Sequence, residues 1–321
     1  MCSMNYKKPA NIAIVCPCYN EEEILEKSAA KLDSLMSSLA SEGKISSQSL
    51  VVFVNDGSVD NTWDLIKKIN AKNSRFKGVD LAFNSGHQFA IMAGMMSVKD
   101  KVDAVITIDV DLQDDISCIG KMIDLYCQGN DVVYGVKVDR KGDSFIKRTT
   151  AKSFYSMQRL MGINIVDNHA DFRLLSNKVI GVLSKYKESN LYLRGIIPSL
   201  GFKSATVDDK ISEREAGKSK YSTKKMFKLA TDGITGFSSR PLKIIFWIGV
   251  VFLIVALINA IDVVISLCNG TAAPGWSQLM LSVWFIGGVV LISLGLVGIY
   301  IGRTYSEVKQ RPTYIVSEII D

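Results

Sequence analysis

Residues 105–115 read VITIDVDLQDD. An apolar, β-branched run, Val105 to Ile108, leads into two carboxylates in D-x-D spacing, Asp109 and Asp111. Gln113, Asp114 and Asp115 follow. A buried strand that ends in alternating acids sets hard oxygen ligands at its carboxyl end, the edge where open α/β sheets bind ligands. Oxygen donors suit Mg²⁺ or Mn²⁺, which commonly take further ligands from substrate phosphates. Alone, a D-x-D also reads as a solvated acidic turn, and two other stretches separate the readings.

Residues 12–23 read IAIVCPCYNEEE, an apolar strand stopped by Pro17, with Glu21 to Glu23 opening a helix. Residues 51–62 read VVFVNDGSVDNT and repeat the design: a strand, a sharp polar turn of Asn55, Asp56, Gly57 and Ser58, then a helix from about Asn61. Strands alternating with helices predict a parallel sheet built from βαβ units. Three polar loops at one sheet edge predict a pocket for a nucleotide diphosphate.

A chain of 321 residues has room for one domain of about 200 residues and an appendage. Its mean hydropathy is positive, which points to membrane segments. Residues 244–267 are apolar except for Asn259 and Asp262, and residues 279–301 carry no charge. Both exceed the roughly 20 apolar residues that a span needs. Arg240 and Lys243 precede the first, Arg303, Lys309 and Arg311 follow the second, and the loop 268–277 is uncharged. This asymmetry predicts a two-span hairpin with both termini cytosolic, in a cytoplasmic (inner) membrane. Residues 1–10 are polar and basic, unlike a secretory signal. Asn259 and Asp262 would let spans associate laterally into a homo-oligomer.

The six cysteines show no metal-ligand spacing and read as reduced thiols. From Lys203 to Lys243, ten Lys or Arg face five Asp or Glu. Beside a span, that excess reads as a belt on an anionic leaflet rather than a nucleic-acid site. Met226, Leu229, Ala230, Ile234 and Phe237 recur at helical spacing, with Lys224, Lys225 and Lys228 off the stripe. This predicts an interfacial amphipathic helix over 222–243; a surface helix packed on the domain is the alternative. The expected organisation is a cytosolic domain over 1–221, that helix, two spans within 244–302 and a cytosolic tail over 303–321.

With these residues in place, the chain resembles the family 2 glycosyltransferases of the A-type fold. CPCYNEEE matches P-x-Y-N-E, NDGSVDNT matches D-D-G-S-x-D-x-T with Asn55 for the first Asp, and DVDLQDD matches D-x-D-L-Q-D. Within the family it is most similar to polyprenyl-phosphate glycosyltransferases, bactoprenol glucosyltransferases above all, and more distantly to dolichyl-phosphate mannose synthases. The stretches 83–95 (FNSGHQFAIMAGM), 168–176 (NHADFRLLS), 191–202 (LYLRGIIPSLGF) and 213–221 (EREAGKSKY) carry that likeness. It implies a Rossmann-like mixed, mainly parallel sheet. It also implies transfer of a sugar, glucose by closest likeness, from a UDP-sugar to undecaprenyl phosphate for cell-envelope glycans such as lipopolysaccharide, with a flippase acting downstream. Mannose, galactose, GlcNAc or aminoarabinose would use the same chemistry. A processive polysaccharide synthase would carry Q-x-x-R-W and more spans, and a non-catalytic scaffold would have lost the acids.

Asp109 or Asp111, with Gln113 as a third ligand, would hold the divalent cation that neutralises the leaving diphosphate. The resemblance sets Pro17, Tyr19, Glu21 and Asp56 around the nucleoside, with Asp109, and Asp171 near the reacting centre as a base or as an orienting charge. A lipid monophosphate needs no base, since its second pKa is near 6. Its direct attack inverts the anomeric carbon. Arg140, Lys147, Arg148, Arg173, Arg194, Arg214, Lys218 and Lys220 are the candidate phosphate ligands. Arg214 to Lys220 read R-x-x-G-x-S-K, a stretch that the resemblance also carries. His87 reads as a structural hydrogen-bonding residue, and His169 as either that or a partner of Asp171.

Overall fold

The computed structural model describes residues 9–137, 169–189, 191–209 and 276–321, with part of 242–269. The chain divides into two compact units, one of residues 1–159, 164–222 and 311–321, the other of 160–163 and 223–310.

In the first unit, β1 (Ile12–Cys18), α1 (Leu25–Ser41), β2 (Leu50–Asn55), α2 (Thr62–Lys72), β3 (Phe76–Leu81), α3 (His87–Val98) and β4 (Ala104–Thr107) alternate as expected. A 3₁₀ turn (Ile116–Cys118), α4 (Ile119–Cys127), β5 (Val132–Lys137), β6 (His169–Ser176), α5 (Asn177–Leu183), α6 (Leu193–Ser199) and β7 (Ser204–Asp209) follow. The described strands form one sheet in the order β7-β5-β6-β4-β1-β2-β3-β8, with β8 spanning Val316–Ile320. Pairings β4-β1-β2-β3 and β5-β7 are parallel, whereas β6 runs antiparallel to β4 and β5. All seven residues of β1 are buried, as a strand covered on both faces requires.

The chain steps from β1 toward β2 on one side and reaches β4 on the other. The switch point, where such sheets bind ligands, therefore lies between the carboxyl ends of β1 and β4. Pro17 does not stop β1 but stands inside it, opposite Val54. The Ile108 N–H donates to the Val15 carbonyl, and regular pairing with β4 ends at Val15. Two residues on, the N–H that Pro17 lacks would face the opened side, so no ladder bond is lost. At Gly57 the chain turns with φ of 63°, and a Cβ there would sit 2.5 Å from the Asn84 nitrogen. The loop after β2 is thus pressed against the loop after β3.

The last residues were expected to be a tail, but β8 returns to the sheet antiparallel to β3, with Ile319 opposite Val79. Glu318 accepts a hydrogen bond from Trp63 Nε1 at 3.2 Å and pairs with Lys67 Nζ at 3.1 Å, while Ile320 packs on the core.

In the second unit, α7 (Trp276–Val308) is a 33-residue helix. Its segment Phe285–Val308 is long and apolar enough to cross a membrane, and the most apolar window of 18 residues in it is unburied. In the other expected span, 244–267, the described positions are helical, and Val251, Ile254, Ile258 and Ile261 are exposed. Phe252 meets Phe285 edge-on at 5.0 Å. The expected interfacial helix lies outside the described residues, Leu242 apart.

Gly94 fixes how closely α3 lies on the sheet. A Cβ there would stand 2.5 Å from Val15 Cγ1 and 2.7 Å from Val54 Cγ2, both on stiff buried side chains. Gly94→Ala is expected to destabilise the domain by about 1–3 kcal/mol through overpacking. A thermal melt of the detergent-solubilised protein checks this, and an unchanged midpoint would show that α3 can lift without cost.

Candidate active site

Tyr19 stands on the loop after β1, about 41% exposed. That loop is tied to the one after β2. Asn20, with φ of 54°, donates its N–H to Ser58 Oγ at 3.0 Å and accepts from the Val59 N–H at 2.9 Å. The Glu21 N–H donates to Thr62 Oγ1 at 3.0 Å, and Glu22 Oε2 accepts from the Asn61 N–H at 3.1 Å.

Asn55 donates from Nδ2 to Asp80 Oδ1 at 2.7 Å, and its Oδ1 accepts from the Ser58 N–H at 3.4 Å. An aspartate there would set two carboxylates together, which the amide avoids. Asp56 is buried. It accepts from the Ser85 N–H at 2.7 Å and the Gly86 N–H at 3.0 Å. Burial raises its carboxyl, and those two bonds oppose the shift.

After β4, alternation sends Val110 and Leu112 into the core and leaves Asp109 and Asp111 exposed. Leu112 takes φ of 48°, and this bend folds Gln113 back so that its Nε2 donates to Asp111 Oδ2. The Asp109 carboxyl is pushed up to about 6 by loss of water and by the charges of Asp171, Asp114 and Asp111, against His87. Half of its side chain remains open to solvent, so the crowding of carboxylates is the firmer cause. Among the described residues, no group of three His, Cys, Asp or Glu side chains is placed to hold a metal ion. The expected ligands Asp109, Asp111 and Gln113 are two carboxylates and an amide on one turn. Such an open set fits Mg²⁺ or Mn²⁺, which keep positions for water and phosphate oxygens.

The register of β6 on β4 sets Thr107 opposite Arg173. Continued by two residues, it brings Asp171 beside Asp109. Asp171 accepts from Arg173 Nη2, from Arg194 Nη2 at 2.9 Å and from Arg194 Nε at 3.4 Å. His87 Nε2 lies 3.3 Å from Asp171 Oδ2 and 3.5 Å from Asp109 Oδ1. Burial alone would raise Asp171, but Arg194, Arg173 and His87 hold it well below the usual carboxylate range. Desolvation lowers His87, yet its hydrogen bond to Asp171 and the two carboxylates leave the imidazole above its usual value.

Sequence reasoning set His87 aside as structural, whereas it bridges the two acids. The usable signal was Gly86 and His87 opening a helix straight after a strand, at the edge where the other loops lie. His169 is buried edge-on to Tyr134 at 5.2 Å. Arg173 was expected to meet phosphate, but it is 0% exposed and serves Asp171 as a counter-ion. Arg194 keeps about a third of its side chain at the surface. Arg140, Lys147, Arg148, Arg214, Lys218 and Lys220 lie outside the described residues.

Removing one partner of a buried ion pair costs about 3–5 kcal/mol, whereas an apolar pair of similar size is tolerated. Asp171→Asn is therefore expected to lower the melting midpoint as well as activity. Asp171→Asn combined with Arg173→Met should recover most of the midpoint and none of the activity. Equal melting of the single variant and wild type would show that Arg173 does not depend on Asp171.

The family model for glycosyl transferase family 2 matches residues 13–183. The chain is 44% identical over 305 residues to the uncharacterized glycosyltransferase YkoT of Bacillus subtilis, covering 95% of this chain and 90% of that one. It is 36% identical over 313 residues to the prophage bactoprenol glucosyl transferase homolog of Escherichia coli K12, covering 96% and 99%. It is also 36% identical over 309 residues to the bactoprenol glucosyl transferase of Shigella phage SfII, covering 96% and 97%. With the mixed, mainly parallel sheet of the A-type fold and acids at its switch point, the chain is a glycosyltransferase and belongs to glycosyl transferase family 2.

Proposed function

We propose that the chain transfers a sugar, glucose first among candidates, from a UDP-sugar to polyprenyl phosphate at the cytosolic face of a membrane. The observation that carries this reading is the state of Asp171. A carboxylate held ionised by two arginines and a histidine is a poor proton acceptor. A sugar hydroxyl acceptor would need a base, but a phosphate monoester dianion does not. The relatives named bactoprenol glucosyl transferase support the same acceptor.

In this reading Pro17, Tyr19, Glu21 and Asp56 frame the nucleoside. Asp109, Asp111 and Gln113 would hold a divalent cation, Mg²⁺ or Mn²⁺, which would supply positive charge to neutralise the leaving diphosphate. Arg194 draws the acceptor phosphate to the reacting carbon, with Arg140, Arg148, Arg214, Lys218 and Lys220 supplied by the neighbouring segments. A phosphate oxygen forms the new bond to the anomeric carbon, the bond to the diphosphate breaks, and UDP departs with that electron pair. Attack opposite the leaving group inverts the centre. Asp171 and His87 orient sugar hydroxyls and exchange no proton in this step.

Parity supports the two-span hairpin. β3 and β8 belong to one sheet, so the chain between them crosses the membrane an even number of times. The span in α7 then requires a second crossing, and 244–267 is the stretch suited to it. Only residues 309–315 separate α7 from β8, and this short connection supports a helix end on the catalytic side of the membrane. A cysteine placed at Ser277 is expected to react with an impermeant maleimide in intact cells. Protection there, with labelling at Ser317, would invert the topology.

The chemistry is checked by mass analysis of lipid products from a panel of UDP-sugars with undecaprenyl phosphate. One hexosyl-phosphate lipid is expected, formed only with Mg²⁺ or Mn²⁺. It should be nearly abolished by chelator or Asp111→Asn, and it should decline below about pH 6 as the acceptor dianion takes up its second proton. Turnover in excess chelator, or transfer to a free sugar in place of the lipid, would overturn the reading.

A further inference from the structure

The turn that bears the candidate metal ligands does not end at Gln113. Its continuation, Asp114 and Asp115, is fixed at the far edge of the sheet, among residues that the proposed chemistry leaves unassigned. Asp209 Oδ1 accepts from the Asp115 N–H at 2.8 Å, and the Asp208 carbonyl accepts from Cys118 Sγ at 3.1 Å. Asp114 Oδ1 lies 3.0 Å from Lys137 Nζ. Lys137 and Asp209 are direct partners on the last rung of the β5–β7 ladder. Asp114 and Asp209 are both buried, at 4% and 0% exposure.

Burying two acids side by side is costly unless each is paired. Desolvation and the Asp114 carboxyl push Asp209 up to about 6, against the bond from Asp115. An apolar residue could fill the same space at less cost, but it could not hold the Asp115 N–H. The rung is also where the described parts of β5 and β7 end. The chain runs from Lys137 into 138–168, which contains Arg140 and Arg148, and from Asp209 into 210–240, which contains Arg214, Lys218 and Lys220.

We propose that Asp209 is a positioning residue. Through Asp115 it holds the Asp109–Gln113 turn in its metal-binding form and ties that turn to the rung from which both basic segments depart. The inference rests on the reading of Asp109, Asp111 and Gln113 as the cation ligands of the proposed function. It adds a residue outside the ligand set whose geometry, rather than charge, is required. An asparagine keeps the acceptor oxygen toward Asp115 and offers an N–H to Asp114, so it should substitute. An alanine should not.

The test compares Asp209→Ala, Asp209→Asn and wild type as full-length protein in detergent. Mn²⁺ affinity in the presence of UDP is read from the paramagnetic resonance of the free ion. Amide exchange of 109–118 is read by mass spectrometry without metal. Asp209→Ala is expected to weaken Mn²⁺ binding roughly tenfold, the scale of one hydrogen bond to a charged group, and to speed exchange in that segment by a similar factor. Asp209→Asn should stay within about threefold of wild type in both. The alanine variant loses no apolar contact and relieves the repulsion from Asp114, so folding is expected; Asp209→Ser takes its place if it fails. A lower melting midpoint with Mn²⁺ affinity unchanged would make Asp209 merely structural and overturn the proposal. So would an asparagine variant as impaired as the alanine one. If wild type bound Mn²⁺ no differently from Asp111→Asn, the metal reading itself would fall, while the exchange comparison would still decide whether Asp209 orders the turn.

Discussion

Antiparallel pairing of β6 with β4 governs the catalytic edge. Parallel neighbours alone would present the ends of β1, β2 and β4 as a row of loops bearing acids. By running the other way, β6 delivers a side chain from the middle of a strand to the place where β4 ends, so Asp171 meets Asp109. A strand interior is a more rigid mount than a loop, and it also carries the counter-charge. Two residues further along β6, on the same face, Arg173 is buried against Asp171. Lose the register and the acid, its counter-ion and the His87 bridge are lost together.

The sheet's central portion was legible because apolar runs ending in polar turns are a direct consequence of burying both faces of a parallel strand. The D-x-D turn was legible for the same reason, since it follows such a strand. Other features left weaker marks. β8 is five residues, VSEII, mostly exposed, and its place depends on an edge of β3 that lies far away in sequence. Pro17 looked like a stop because a proline usually ends a ladder; only the early end of β4 pairing makes it harmless. Arg173 looked like a phosphate ligand because side-chain chemistry shows in a sequence but depth does not. His87 was undervalued for the complementary reason, since its partners are drawn from two other strands.

Asn55 shows how a departure from a family pattern can be read. In the motif alone it looks like a lost charge with a consequence for base selection. In the fold it donates to Asp80, so the chain holds one charge at that point where the usual pattern would hold two. The carboxylate that remains next to it, Asp56, is occupied by the Ser85 and Gly86 amides and thereby fixes the start of α3, where His87 stands. The side proposed for the nucleoside and the side proposed for the reacting carbon are thus joined through one short turn. Gln88 extends the join, since its Oε1 accepts from the Leu193 N–H, one residue before Arg194.

The site is consequently bipolar. Asp109, Asp111 and Asp114 gather negative charge at the end of β4, and burial together with the charges of Asp171, Asp114 and Asp111 pushes Asp109 up to about 6. Arg173 and Arg194 gather positive charge across Asp171, enough to hold that acid ionised. The proposed reaction joins two anions, a sugar diphosphate and a lipid phosphate, whose mutual repulsion this separation would relieve. In that proposal the carboxylate side would take the donor through a cation, and the guanidinium side would take the acceptor directly. Asp171 stands between them with its charge already satisfied, so it can orient hydroxyls without competing for the metal or repelling the incoming phosphate. A neutral or basic group at 171 would leave the two arginines unbalanced. An acid without those arginines would drift toward protonation beside Asp109. The same charge balance therefore serves the stability of the buried strand and the meeting of two negative substrates.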